Sequence, residues 1–153
     1  MSVQEPQKSN HNTRVPLNPE VDALARTLFG EARGEHVRGK EAVASVIINR
    51  VRRAKDRNGY WWGDSVAAVC RRPWQFSCWN ENDPNRDKIE TIDQGNEVFA
   101  CCVRIARRAV AGVLKDPTGG ATHYHAKSVT PPWAGGLMPC VVIGNHKFYN
   151  NVE

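Results

Sequence analysis

A glutamate stands between two glycines in Gly30-Glu31-Ala32-Arg33-Gly34-Glu35, where an apolar helix ends and a second helix begins. Apolar walls disfavour the charged form of a carboxyl and raise its pKa. A Glu placed this way holds its proton near neutral pH and passes it on as a general acid. The glycines leave room for a bulky substrate to approach the backbone. Glu31 is therefore the candidate catalytic acid, set against the plainer reading of a helix-end charge. Glu35 would share its face on an unbroken helix, but Gly34 makes that geometry doubtful. Glu35 stays open between a salt bridge, to Arg33 or Arg38, and a role in the site.

The elements that must position these residues are legible from spacing. Asn18-Pro19-Glu20 reads as a helix start, with an N-cap, Pro at the first position and an acid in the first turn. Val21, Leu24, Ala25 and Leu28 follow at helical spacing, and Gly30 or Gly34 ends or bends the path. A second helix is expected from about Val37 to Lys55, burying Ala42, Val43, Val46 and Ile47. A short helix is expected from Val66 to Arg71. Residues 73–89 read as an ordered, irregular aromatic loop, because exposed tryptophans need packing or a ligand. A third long helix is expected over about 90–113, with Val98, Phe99, Cys102, Ile105, Ala106 and Ala109 buried.

Asp116-Pro117-Thr118-Gly119-Gly120 is a turn, and after it the period changes. Residues 121–126 alternate like a short strand. Residues 141–143 and 146–149, joined by Gly144-Asn145, read as a hairpin. The fold class is α+β, mainly helical with a small antiparallel sheet. Residues 1–17 read as a flexible arm and residues 18–153 as one domain.

Composition narrows the partners. The chain has 153 residues, 41% of them hydrophobic, and a net charge of +5. That favours an anionic partner: nucleic acid, a membrane surface or a wall polymer. The end of the second helix adds Arg50, Arg52, Arg53, Lys55 and Arg57, opposed only by Asp56. The five cysteines fit neither a zinc site nor a disulfide framework and read as free thiols. His123-x-His125 with His146 lacks an acid or Cys at ligand spacing, so no metal and no cofactor is expected. No stretch suits stable membrane insertion. No signal peptide is visible, so synthesis in the bacterial cytoplasm, with later release to the site of action, is expected.

Three blocks carry a resemblance. They are Gly30-Glu31-Ala32-Arg33-Gly34-Glu35 with Gly39 to Arg50, then Gln75-Phe76-Ser77, then Asp116 to Ala121 with Ile143 to Tyr149. In order and spacing, across about 21–150, the chain resembles the SleB/CwlJ-type cell wall hydrolase domain. The resemblance implies a lysozyme-like fold and cleavage of the glycan strand of peptidoglycan. Spore-cortex members of that family are lytic transglycosylases, which cut between N-acetylmuramic acid and N-acetylglucosamine and leave a 1,6-anhydro end. The family's catalytic Glu falls on Glu31. The sequence departs from the spore enzymes in showing no leader and no wall-binding repeats. Its Gln-Phe-Ser-Cys-Trp-Asn loop is closer to phage-encoded and Gram-negative relatives, which suggests an endolysin.

On that reading Glu35, Gln75, Phe76, Ser77, Trp79, Thr122 and Tyr124 are the candidate substrate-binding residues. Rings stack on the apolar face of an N-acetyl sugar, and amide or hydroxyl groups bond its acetamido group. Thr122 and Tyr124 alternate with His123 and His125, so one pair faces inward, and Thr122 and Tyr124 are assigned to the site. The alternatives are a hydrolytic muramidase with a second carboxylate, Glu35, Asp83 or Asp116, and a basic module that binds nucleic acid or wall. No nucleic-acid motif is present, so the expected partner is the glycan strand, with no nucleic acid, and the chain is expected to act as a monomer.

Overall fold

The structure, a computed structural model, describes residues 16–153. The expected arm at 1–17 lies almost wholly outside the described residues. These form five α-helices and a three-stranded sheet.

Helix α1 (Pro19–Ala32) begins where the sequence places it. Asn18 Oδ1 accepts from Glu20 N at 2.9 Å and caps the first turn. The helix runs through Gly30 rather than ending there, so Glu31 lies in its last turn. Leu24, Ala25, Leu28 and Phe29 are buried. Helix α2 (Val37–Asp56) buries Ala42, Val43, Val46 and Ile47, as their spacing predicts. Helix α3 (Val66–Arg71) is capped by Ser65, whose Oγ accepts from Ala68 N at 3.2 Å. The aromatic loop follows and contains a single 3₁₀ turn at Ser77–Trp79.

The expected third long helix is two helices. Helix α4 (Arg86–Thr91) ends where Ile92 turns extended, at ψ 142°. Helix α5 (Glu97–Val110) starts afresh. Between them Asp93 Oδ1 accepts from Gly95 N at 2.8 Å, and Asn96 Oδ1 accepts from Phe99 N at 3.0 Å. Short polar side chains bond nearby backbone and compete with helix continuation. Val98, expected in the core, is 39% exposed, whereas Phe99, Cys102, Ile105, Ala106 and Ala109 are buried.

Strands β1 (His123–Ala126), β2 (Val141–Ile143) and β3 (His146–Tyr149) form an antiparallel sheet in the order β1-β3-β2. Tyr124 and Val141 both pair with Phe148 on the central strand. Helix α1 is the axis of the domain: α2, α3, α4, α5 and the 3₁₀ turn all pack on it, while the sheet contacts α2. This arrangement brings the end of α1, the aromatic loop and β1 to one place. Among the described residues no helix is long and apolar enough to cross a membrane.

Candidate active site

Glu31 is held from three directions. Its own helix, α1, supplies the floor. The 3₁₀ turn presses Cys78 against that helix at Gly30, where any Cβ would lie 2.6 Å from Cys78 Cβ. Only glycine allows the loop to come this close. From β1, the Tyr124 hydroxyl donates to Glu31 Oε2 at 3.4 Å, a long and weak contact. Glu31 Oε1 is shut off from solvent and has no hydrogen-bond partner among the described residues.

Burial raises the Glu31 pKa above its ordinary value. The thiol and backbone of Cys78 and the Tyr124 hydroxyl offset this in part, and the charge of Asp83 adds to it. Burial, and then the neighbouring Glu31, push the Tyr124 phenol well above its usual range, so it remains a proton donor. The result is a carboxyl whose pKa lies above the ordinary value, held loosely by Tyr124 at one oxygen.

The other candidates divide. Glu35 grips the hairpin turn and, among the described residues, forms no ion pair with Arg33 or Arg38. Its Oε1 accepts from Asn145 N at 2.8 Å and its Oε2 from Asn145 Nδ2 at 3.3 Å. Its Oε1 also lies 3.2 Å from His146 Nδ1. Burial lowers the His146 pKa and Glu35 only partly opposes this, so the ring is neutral at pH 7 and the contact is not a full ion pair. Gly144, at φ +56°, leaves the space: a Cβ there would sit 2.9 Å from Glu35 Oε1.

The Gln75 side chain and the Thr122 backbone converge on Arg50. Arg50 Nε donates to the Thr122 backbone oxygen at 2.7 Å, and its Nη1 to Gln75 Oε1 at 3.4 Å. Phe76 is corrected from a stacking surface to core, because it is 3% exposed and Arg50 lies over its ring. Ser77 is exposed at the start of the 3₁₀ turn. Trp79 is partly buried, donates from Nε1 to Thr27 Oγ1 at 2.8 Å, and lies under Arg71.

The residues not singled out for the site are Arg50 and Cys78. Arg50 is buried between Trp62 and Phe76, and burial brings its guanidinium down to about 10. Its position at the basic end of α2 hid it among surface-like arginines. Cys78 had a readable signal in its place within the aromatic loop. Asp116, a possible second carboxylate, is spent on its own turn. Burial pushes its pKa up, but hydrogen bonds from Thr118, Asn49 and Gly120 outweigh that and bring it below the usual range. The histidines pack with aromatics: His123 lies between Trp62 and Trp133, and His125 Nε2 bonds Tyr149 Oη at 2.8 Å.

Residues 34–149 match the Cell Wall Hydrolase family. The chain belongs to that family. Glu31 lies just before the matched stretch. The spore cortex-lytic enzyme of Halalkalibacterium halodurans is 31% identical over 144 residues, which are 90% of this chain and 38% of that protein. That of Bacillus subtilis is 31% identical over 134 residues, 86% of this chain and 37% of that protein. The chain thus spans less than two fifths of these relatives. The catalytic domain of the germination-specific lytic transglycosylase SleB from Bacillus anthracis superposes with a TM-score of 0.66 at 27% identity. That match covers 88% of this chain and 97% of that domain. The Bacillus cereus SleB catalytic domain gives a TM-score of 0.65 at 26% identity, covering 94% and 98%. The lysozyme-like, mainly helical expectation for the fold of this cell wall hydrolase domain holds.

Proposed function

We propose that this chain cleaves the glycan strand of peptidoglycan as a lytic transglycosylase, with Glu31 as the single acid and base. The observation that carries this reading is the Glu31 carboxyl itself, with its raised pKa and one unpartnered oxygen. Protonated Glu31 gives its proton to the bridging oxygen as the C1–O bond of the muramic acid residue breaks. The C6 hydroxyl of that same sugar then attacks C1, and Glu31 takes the proton the hydroxyl releases. The products are a free 4-hydroxyl on N-acetylglucosamine and a 1,6-anhydro ring, with no water consumed.

The employment of the other carboxylates supports this scheme. Glu35 holds the hairpin turn and Asp116 holds its own loop, so neither is free to activate water. The names of the similar spore enzymes and SleB domains support it too. One observation favours hydrolysis as the second reading: Asp83 lies near enough for its charge to act on Glu31. The Gln75–Asn80 loop supports a phage-type lytic enzyme, made in the cytoplasm and released onto the wall.

The test is turbidity clearing of chloroform-treated Gram-negative cells by wild type and by Glu31→Gln, with mass spectrometry of the released muropeptides. Clearing by wild type alone, with anhydro ends, is the expected result. Reducing ends would replace transglycosylation with hydrolysis. Equal clearing by both proteins would take the acid role away from Glu31.

A further inference from the structure

Arg50 carries a buried charge with no carboxylate beside it. The residue is 6% exposed, and no acid lies within ion-pair distance of it among the described residues. Burial lowers its guanidinium only to about 10, so it is a cation at pH 7. Buried charges are ordinarily paired, because taking them out of water is costly. The rings of Trp62 and Phe76, with centroids 5.0 and 5.4 Å from the guanidinium carbon, offset part of that cost. A neutral side chain could fill the same space, and a Gln amide could donate a hydrogen bond there. The charge is the feature that calls for a role.

The neighbours of Arg50 point to that role. Its Nε donates to the backbone oxygen of Thr122, two residues before Tyr124. Its Nη1 donates to Gln75 Oε1, three residues before Cys78. Tyr124 and Cys78 are the groups that reach Glu31 from outside α1, so one guanidinium ties down both walls of the site. The titratable groups that act on Arg50 are Tyr124, Arg53 and Cys70, and His123 feels it in turn. Arg53 is a second cation. Burial pushes the Cys70 thiol up to about 12, and burial with Arg50 and Arg53 brings His123 down to about 4. Burial and Glu31 raise the Tyr124 phenol, with Arg50 opposing them. None of these groups is an anion at pH 7. Around Glu31 stand Cys78, Tyr124 and Asp83, of which Asp83 adds negative charge. The charge on Arg50 thus meets no nearby anion until Glu31 gives its proton away.

We propose that Arg50 is a positioning residue for Glu31, whose fixed cation acts through Tyr124 to stabilise the carboxylate left when the proton passes to the leaving oxygen. Such a charge is held in place before the reaction and acts strongly in a buried site. The inference rests on the reading of Glu31 as the acid of a strand-cleaving enzyme.

Carboxyl ¹³C NMR of the whole, Glu-labelled chain tests it without catalysis, with the Glu31 signal assigned by Glu31→Gln. In Arg50→Gln the Glu31 midpoint should move up by about one pH unit, since an opposite charge has gone. Arg50→Lys keeps a cation and should hold the midpoint near that of wild type. Loosened packing alone would admit water and move the midpoint down, so the sign separates the two roles. Tyr124→Phe keeps the ring and removes the hydroxyl, and by itself should also raise the midpoint. On peptidoglycan strands Arg50→Gln should lose about tenfold in kcat with little change in KM, and Arg50→Lys should recover most of it. A midpoint unmoved or lowered in Arg50→Gln overturns the inference and leaves the enzyme reading standing. A midpoint raised equally in Arg50→Lys overturns it too. A midpoint unchanged in Tyr124→Phe overturns it even where Arg50→Gln does not fold. The expected midpoints, with no strand cleaved by wild type, overturn the enzyme reading and leave the link from Arg50 to Glu31 standing.

Discussion

Burial disfavours the charged form of Glu31, whereas the neighbouring Glu35 is a fully used acceptor for the hairpin turn. The two carboxylates therefore respond to removal in opposite ways. Above its ordinary value of 4.5, an unfolded Glu31 has released its proton while the folded one still holds it. Stability from this group is complete below that pH and is lost as pH rises through the raised value. Glu31→Gln removes the loss, so thermal melts should show it more stable than wild type at pH 7 and equal to it near pH 4. The same variant should lose about 10²- to 10⁴-fold in clearing rate, the usual worth of a general acid. Glu35→Ala should instead melt lower, by about 0.5–1.5 kcal/mol, because it removes the hydrogen bonds that tie the hairpin turn to this carboxylate.

At the scale of elements, Gly30 is the point where helix and loop meet. Gly30→Ala forces Cys78 off α1, since the added Cβ would sit 2.6 Å from Cys78 Cβ and 2.7 Å from its Sγ. Overpacking of this kind costs about 1–3 kcal/mol. Cleavage should drop with stability, and Cys78→Gly in the same chain should return both by vacating the space. His123 gives a second element-level test, on the sheet. Burial, and then Arg50 and Arg53, lower its pKa from 6.5 to about 4. Its unfolded form takes up a proton that the folded form refuses, so stability falls as pH drops from 6.5 to about 4. His123→Gln should flatten the melting curve over that interval.

These elements show what a sequence exposes and what it hides. Helices α1 and α3 were legible from their caps, α2 from its apolar spacing, and the β2–β3 hairpin from its turn residues. The break between α4 and α5 was also written, in Asp93-Gln94-Gly95-Asn96, but apolar spacing on both sides masks it. The raised pKa of Glu31 was legible from its local frame, an apolar helix end. The burial of Phe76 and the use of Gln75 and Thr122 by Arg50 were not, because they depend on contacts between segments far apart in the chain.

For the whole molecule the surplus of 21 basic over 16 acidic side chains favours an anionic partner, which on the proposed reading is the wall. Such attraction acts over about 30 Å at 0.01 M salt and about 3 Å at 1 M. Clearing should therefore slow as salt is raised from about 0.01 M to about 0.5 M. A rate flat across that range would remove long-range attraction from the account.

The contact of Cys78 with Gly30 makes the site its own timekeeper. Cys140 is exposed, whereas the Cys78 thiol is buried and, by burial and the adjacent Glu31, held well above its usual pKa. A thiol reagent added to the folded chain should label Cys140 at once. It should reach Cys78 only in the moments when the 3₁₀ turn lifts from α1, so the lag between the two reads how often the floor of the active site opens.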